Sequence, residues 1–497
     1  MTTIDAPAAP PSSSSEQQFI RGIGPLQAIS LVVGSMIGSG IFIVSAGIGR
    51  EVSAWGPGGL MLVWLITGLM TLAGALAYAE LAAMMPKAGG QYVFLREGLS
   101  PAAGFLYGWT LFTVIQTGTI AAVAVAFAKY LAVFFPTLTD TVFLSLGSIR
   151  LPGAPDAIPL GVSAQRVVAI ASVVFLTWIN ARGVALGARL QTTLTVIKVG
   201  ALGALILLGL VVFRNAEIAA GNFGTFWGTG NWGLAMLPVI GAAMVGSLFS
   251  SDAWNNVTFA AAEVRDPSRN LPRALAMGTG LVTVLYLLAN VAYLNVLPLA
   301  GTEGGATVLE RGIQFATQDR VGSAAAEVIF GAAGGTIMAA AILISTFGCN
   351  NGLILAGSRV YYAMAKDRLF FEGAGKLNAN HVPANALIVQ AIWTSLLCLT
   401  GTYGQLLDYV IFAALIFYAL TTVGLFILRS KRPDAERPYK AIGYPVLPAL
   451  YIVLALTVAV ILLIADKTRA QAISGLVLVA LGVPVYYLWR GAKTAQP

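Results

Sequence analysis

Two short runs of small and polar residues interrupt apolar stretches, and most of the chemistry open to this chain lies in them. The first reads Val33-Gly34-Ser35-Met36-Ile37-Gly38-Ser39-Gly40-Ile41-Phe42. The second reads Gly246-Ser247-Leu248-Phe249-Ser250-Ser251-Asp252-Ala253-Trp254-Asn255-Asn256. A helix broken inside hydrocarbon frees main-chain groups that must line a cavity or meet a ligand. Amides that start the second half of a broken helix favour negative charge, because they lack helical acceptors and sit at the positive end of the dipole. Ile37, Gly38, Ser39, Gly40 and Ile41 are therefore read as lining a site, with the amides of Ser39, Gly40 and Ile41 as a cradle for a carboxylate. Carbonyls near Phe249, Ser250 and Ser251 would accept from an ammonium. An anion site facing a cation site fits an α-amino acid zwitterion, which cannot cross hydrocarbon unaided.

The neighbouring side chains carry more than one reading. Phe249 either covers a bound ligand or is a core residue in a chain with 23 phenylalanines. Trp254 and Asn255 organise the bend or line the pocket. Asp252 faces a wet cavity, pairs with a cationic substrate, or caps the second half of its helix; an unpaired carboxylate at that depth is costly. Lys198 lies well inside the fifth apolar stretch. Snorkelling towards the end marked by Arg189 would mean reaching along about 13 Å of helix. The alternative is a fixed cation between the first and eighth stretches, held by carbonyls of Gly34 or Ser35 and hydroxyls of Ser345 or Thr346. Gly200 and Gly203 fit simple close packing of helices. Glu80 is read as a gate or an interface residue, Asn350 and Asn351 as interhelical hydrogen-bonding groups, and Tyr107 and Gln116 as weaker pocket candidates.

These residues need a membrane scaffold. The chain has 497 residues, of which 57% are hydrophobic and only 10% charged, against about 25% charged in soluble domains. Stretches of roughly 20 apolar residues give twelve spans, near 24–50, 57–85, 101–134, 164–181, 186–212, 232–260, 273–297, 324–363, 384–400, 404–429, 443–465 and 470–489. The eighth is too long for one simple crossing. None shows the alternation of a membrane strand, so the expected class is an all-α polytopic membrane protein. Spans one to five (21–212) and six to ten (232–429) can be laid against each other with the break in the first member of each group. That is the pattern of an inverted repeat with a midplane site. Spans eleven and twelve (443–490) read as accessory. Residues 1–20 read as a disordered tail and 491–497 as a second short tail.

With the N-terminus inside, nineteen of the 29 lysines and arginines fall on inner loops and eight on outer ones. Both termini are thus expected in the cytoplasm. The asymmetry also accounts for the net charge of +8 without nucleic acid. The only histidine is His381 and the only cysteines are Cys349 and Cys398, so no metal site, cofactor or disulfide framework is expected. An enzyme would need a clustered nucleophile, base or metal, and a channel a continuous polar pore. Neither pattern is present in the sequence.

At these residues the chain resembles the amino acid–polyamine–organocation superfamily, with a closer likeness to L-type amino acid transporters and their bacterial relatives. Gly34 to Phe42 resembles that family's first-helix motif. Phe249 to Asn256, continued by Glu263-Val264-Arg265-Asp266-Pro267 and Arg269-Asn270-Leu271-Pro272, resembles the sixth-helix motif. Lys198 falls where sodium-independent members carry a fifth-helix lysine, and Asn351-Gly352 and Ser358-Arg359 resemble the eighth-helix pattern. The resemblance implies a five-plus-five inverted repeat of the LeuT/APC type, alternating access, no sodium requirement and exchange of neutral amino acids. Proton-coupled symport and cationic/neutral exchange remain open, the latter because Asp252 resembles an acidic residue of members that accept cations. Ser251 and Ala253 replace the family's usual residues before the tryptophan. The 134–163 loop lacks the cysteine that animal members use to hold a heavy chain, so no disulfide-linked partner is expected. Substrate and membrane lipids are the expected partners, the protein a monomer or weak homo-oligomer, and its location a bacterial-type inner membrane.

Overall fold

The computed structural model describes residues 18–150, 157–400, 403–466 and 468–494. Most of the two expected tails therefore lies outside the described residues. Residues 491–494 continue the last helix rather than leaving it.

In chain order the helices are α1 (Pro25–Met36), α2 (Val44–Glu51), α3 (Gly56–Met84), α4 (Gln91–Gly98), α5 (Pro101–Thr110), α6 (Gln116–Leu131), α7 (Ala164–Ala181), α8 (Val184–Leu207) and α9 (Ala216–Gly224). They continue with α10 (Met236–Ser250), α11 (Asn256–Phe259), α12 (Pro267–Val296), α13 (Val308–Arg311), α14 (Val321–Phe330), α15 (Gly334–Lys366), α16 (Ala384–Cys398), α17 (Tyr403–Lys431), α18 (Val446–Ile464) and α19 (Arg469–Thr494). A π-helical turn at Leu111–Ile115 joins α5 and α6 into one span. Among the described residues the protein is an all-α membrane protein except for one hairpin in the loop after α6. There β1 (Leu144–Ile149) pairs antiparallel with β2 (Ile158–Val162), Leu144 opposite Val162.

Among the described residues nine helical segments are long and apolar enough to cross a membrane, rather than the twelve expected. Three further apolar helices are shorter: Pro25–Met36, Met236–Ser250 and Ala384–Cys398. Two of these, α1 and α10, are the first halves of the interrupted stretches, so the breaks themselves make them short. The overlong eighth stretch also resolves. It is two helices, α14 and α15, separated by a turn at Gly331–Ala333 whose Gly331 has φ 65°. Helix α3 starts with Pro57 in its first turn, where a missing N–H costs nothing.

Helix α1 packs against α8, α12 and α15, while α10 packs against α2 and α3. The two broken segments thus lie side by side in an inverted-repeat-like bundle. The start of α1 is anchored by a parallel bridge between Ile23 and Val264. The Ile23 N–H donates to the Glu263 carbonyl and the Arg265 N–H to the Ile23 carbonyl, each at 2.9 Å. Glu80, near the end of α3, lies at this same end of the bundle. Arg50, Glu51 and the start of α3 lie at the other.

Candidate functional site

Both interruptions are real breaks in helical structure. Helix α1 stops at Met36, and Ile37 takes extended backbone at φ −76° and ψ 94°. A single turn at Gly40–Phe42 follows, then α2. Helix α10 stops at Ser250, and Ala253 sits in the left-handed region at φ 65° before α11 begins. The amides of Gly40 and Ile41 head the short turn, where the first N–H groups have no partner within the helix.

The breaks touch. A Cβ on Gly40 would lie 2.1 Å from Ser250 Oγ and 3.0 Å from its Cα. Glycine at 40 therefore lets the two unwound segments meet backbone to backbone. Gly34 has a similar task towards α8, since a Cβ there would lie 2.1 Å from Gln191 Nε2 and 2.2 Å from Thr195 Oγ1. Gly38 is looser, with Cys349 Sγ at 3.4 Å. Gly200 and Gly203, expected to be the packing glycines, have nothing within 4 Å of an added Cβ. The reason is their position: they are on faces of α8 that no neighbouring helix covers.

Lys198 does not snorkel. It is 2% exposed, and its ammonium donates to the carbonyls of Gly34 at 2.8 Å, Ile37 at 2.7 Å and Ser345 at 3.0 Å. Three donors meet three acceptors, so the charge is held entirely by main-chain dipoles. Two expected partners differ. Ser35 gives its carbonyl to Cys349 Sγ at 2.9 Å instead, and the Thr346 hydroxyl bonds back to Ile342 and Leu343 in its own helix. Such back-bonding is the local default for threonine in a helix. Ser345 contributes its carbonyl to Lys198, while its hydroxyl donates to Ile37 and Gly38 carbonyls at 3.1 and 2.9 Å.

The second break is framed by aromatic and amide groups. Trp254 lies edge-on to Tyr78, with ring centroids 4.7 Å apart, and 5.3 Å from the ring of Tyr418. Asn255 Nδ2 donates to Gln91 Oε1 at 2.7 Å, and Gln91 Nε2 donates to Thr421 at 3.1 Å. Asp252 is buried and accepts the Tyr418 hydroxyl at 2.5 Å. Beside it lies a cavity of about 20 Å³ bounded by Ser251, Trp254, Tyr451 and Thr71, room for about one water. Phe249 is 8% exposed. Ser250 Oγ bonds back to the Gly246 carbonyl at 2.8 Å, leaving main chain rather than side chain as its contribution to the break.

One residue that sequence reasoning missed joins the two breaks. The Tyr286 hydroxyl, from α12, lies 2.9 Å from the Ser250 carbonyl and 3.1 Å from the Met36 carbonyl. It is shared between the ends of both half-helices. Nothing in its surrounding sequence marks it, because the pairing is made across 250 residues of chain. Tyr418 and Gln91 were missed for the same reason. Asn351, read as an interhelical donor, does bridge, bonding the Gly187 carbonyl and Gln191 Oε1. Gln116 Nε2 bonds the Leu353 carbonyl, and Tyr107 packs its ring against Phe417.

Charged groups cluster at the two ends of this core. At one end Glu263 and Arg359, both about 1% exposed, form a two-point ion pair with both contacts 2.8 Å long. Nearby Glu80 is fully buried and meets Arg429 at 2.5 and 2.9 Å, Arg437 at 3.3 Å and the Ala441 amide at 2.7 Å. At the other end a cavity of about 660 Å³ opens between α2, α6 and α10. Its inner wall is Ile43, Val44 and Gly246, one helical turn short of Phe249.

A polytopic helical bundle with two touching broken helices, a buried cation from a neighbouring helix held against one of them and ion pairs closing one end defines a membrane transporter. The sequence from residue 23 to 484 matches the amino acid permease family model. The chain belongs to that family, within the amino acid–polyamine–organocation superfamily, and so to a family of transporters rather than of enzymes. It is 30% identical over 481 residues to the rabbit large neutral amino acids transporter small subunit 2, covering 94% of this chain and 80% of that one. It is 29% identical to the mouse b(0,+)-type amino acid transporter 1, covering 84% of this chain and 78% of that one. Against the mouse Asc-type amino acid transporter 1 identity is also 29%, over 95% of this chain and 82% of that one. These relatives are mammalian. They overturn the expectation of a bacterial-type inner membrane, which rested on a likeness to bacterial family members.

Proposed function

We propose that this amino acid permease is a sodium-independent transporter that works by alternating access and exchanges neutral L-amino acids recognised as zwitterions. In this reading the carboxylate lies against the amides of Ser39, Gly40 and Ile41. The ammonium meets carbonyls at Phe249, Ser250 and Ser251, and the Phe249 ring covers the ligand. Trp254 and Asn255 hold the second break in shape through Tyr78, Tyr418 and Gln91. Three short helices supply the remaining crossings, giving twelve spans in two inverted halves, 21–212 and 232–429, with 443–490 as an accessory pair. The protein works as a monomer or weak homo-oligomer. It needs no disulfide-linked partner, since its two cysteines are both buried.

The observation that carries the proposal is the coordination of Lys198. Its ammonium takes carbonyls from the end of α1 and from α15, a cage of oxygens that would otherwise suit a small monovalent cation. A covalently tethered cation removes the need for a dissolved one. Purified protein in proteoliposomes should take up labelled leucine equally fast in sodium and in choline buffer. Uptake that requires sodium would overturn the proposal.

A second reading is favoured by Asp252, a buried carboxylate whose partner is a neutral phenol rather than a cation. It supports exchange of cationic against neutral amino acids. Competition by external lysine or arginine in the same uptake assay distinguishes the two.

A further inference from the structure

Basic side chains from four separate stretches converge at the end of the bundle that the buried ion pairs close. A cavity of about 560 Å³ lies there between residues 18–21, the turn from α3 to α4, α4 itself and the end of α15. Arg21, Lys87, Arg96 and Lys366 all line it. Among the described residues Asp367 is the only acid in its wall, and its charge is already met. It accepts the Tyr92 hydroxyl at 2.6 Å and a hydrogen bond from the Arg96 guanidinium. Arg96 also reaches Glu97 at 3.2 Å. The Arg21 guanidinium and the Lys87 ammonium are different: neither has a hydrogen-bond or ion-pair partner among the described residues.

Arg21 is nonetheless held in place. Its carbonyl accepts from Arg265 Nε at 3.2 Å, and two residues on Ile23 is bridged to Val264. Phe19 packs edge-on against Tyr362 with ring centroids 4.8 Å apart, and Lys366 Nζ lies 5.7 Å from the centre of the same ring. The cationic wall thus stands on fixed backbone and an aromatic base, around a volume within the range of small-molecule sites. A carboxylate is satisfied by one guanidinium, as Asp367 is by Arg96. Four basic groups around one cavity suit a ligand with more charge and more acceptors. A phosphate ester carries about two negative charges and three acceptor oxygens, and guanidinium and ammonium groups both bind it. Basic pockets beside membrane-spanning helices hold the phosphates of lipid headgroups.

We infer that this cavity is a binding site for a phosphate monoester, in which Arg21 and Lys87 take the phosphate oxygens and Arg96 and Lys366 add positive charge. The site is separate from the breaks and does not depend on which amino acid is carried. Its two unpaired donors come from residues that lead into α1 and out of α3, and α15 completes the wall. A bound phosphate therefore lies where these elements meet at the closed end.

Native mass spectrometry of the purified full-length protein tests this with dioleoyl phosphatidic acid, whose headgroup is a phosphate monoester. Wild type should bind it about tenfold more tightly than dioleoyl phosphatidylglycerol, which is anionic but has no terminal phosphate. The double variant Arg21→Gln, Lys87→Gln should lose most of this preference. Lys431→Gln with Lys440→Gln removes as much charge from exposed positions outside the cavity and should keep it. An unchanged size-exclusion profile shows that both variants are folded. Equal binding of the two lipids by wild type would leave only a general attraction for negative charge and overturn the proposal. A preference that survives loss of Arg21 and Lys87, or that falls as far on loss of Lys431 and Lys440, would overturn its assignment to this cavity. Glycerol 3-phosphate separates the two sources of such a ligand. Displacement of the lipid at matching concentration supports a soluble phosphate ester, and no displacement supports a lipid headgroup.

Discussion

Lys198 is a buried cation with no acidic partner among its hydrogen bonds. Carbonyl dipoles compensate its charge, and in return it ties the end of α1 to the middle of α15, alongside the Ser345 hydroxyl and Cys349. Replacing it with alanine takes a donor from three carbonyls, of which Ile37 keeps only the longer bond from the Ser345 hydroxyl. At roughly 1–3 kcal/mol for each orphaned group, less what entering water restores, Lys198→Ala should cost about 3 kcal/mol of stability. Thermal unfolding in detergent would show it, together with loss of uptake. The Glu263–Arg359 pair makes a sharper test. Removing one member of a buried ion pair strands the other, which typically costs about 3–5 kcal/mol. Glu263→Ala should unfold well below wild type, and replacing both by apolar residues of similar volume should recover much of the loss. At the surface of the same end, the hydrogen bond from Arg432 holds the Glu97 carboxyl below the usual carboxylate range. A depressed carboxylate adds stability at neutral pH, and that contribution is lost only as pH falls through the lowered value.

At the scale of elements, the two breaks behave as one unit. Gly40 and Ser250 meet without space for a side chain, and Tyr286 holds the ends of both half-helices. Gly40→Ala should abolish uptake, because the new methyl overlaps Ser250. Ser250→Gly in the same chain should restore part of it, and Ser250→Gly alone should not improve on wild type. Non-additivity of this kind is what contact between the segments demands. Ala253, at φ 65°, tolerates glycine but not a β-branched residue. Ala253→Val should therefore lose about 2 kcal/mol or more, and Ala253→Gly should be close to neutral. The breaks were legible in sequence because a plain membrane anchor has no use for small and polar residues in mid-span. The packing glycines were not. Gly34 and Gly200 look alike in sequence, and only the neighbour that covers Gly34 and leaves Gly200 open separates them. The division of the eighth stretch at Gly331 was likewise hidden in an apolar run.

Across the whole molecule, one end of the bundle is closed by buried ion pairs and the other opens into a vestibule. Hydropathy shows a polytopic bundle at once, since a chain with 10% charged residues cannot cover itself with water-facing surface. It does not show where the crossings end. The count of long spans falls to nine among the described residues because the breaks shorten α1 and α10, and α16 is short as well. The partners of Glu80, Glu263 and Asp252 were beyond reach for a related reason: each is supplied by a helix far away in the chain. Exchange of an amino acid without sodium leaves a direct signature in counterflow. Proteoliposomes loaded with unlabelled leucine, in sodium-free buffer and with no pH difference, should accumulate labelled leucine severalfold faster than empty ones. Equal rates in loaded and empty vesicles, with uptake appearing only when a proton gradient is imposed, would rule exchange out.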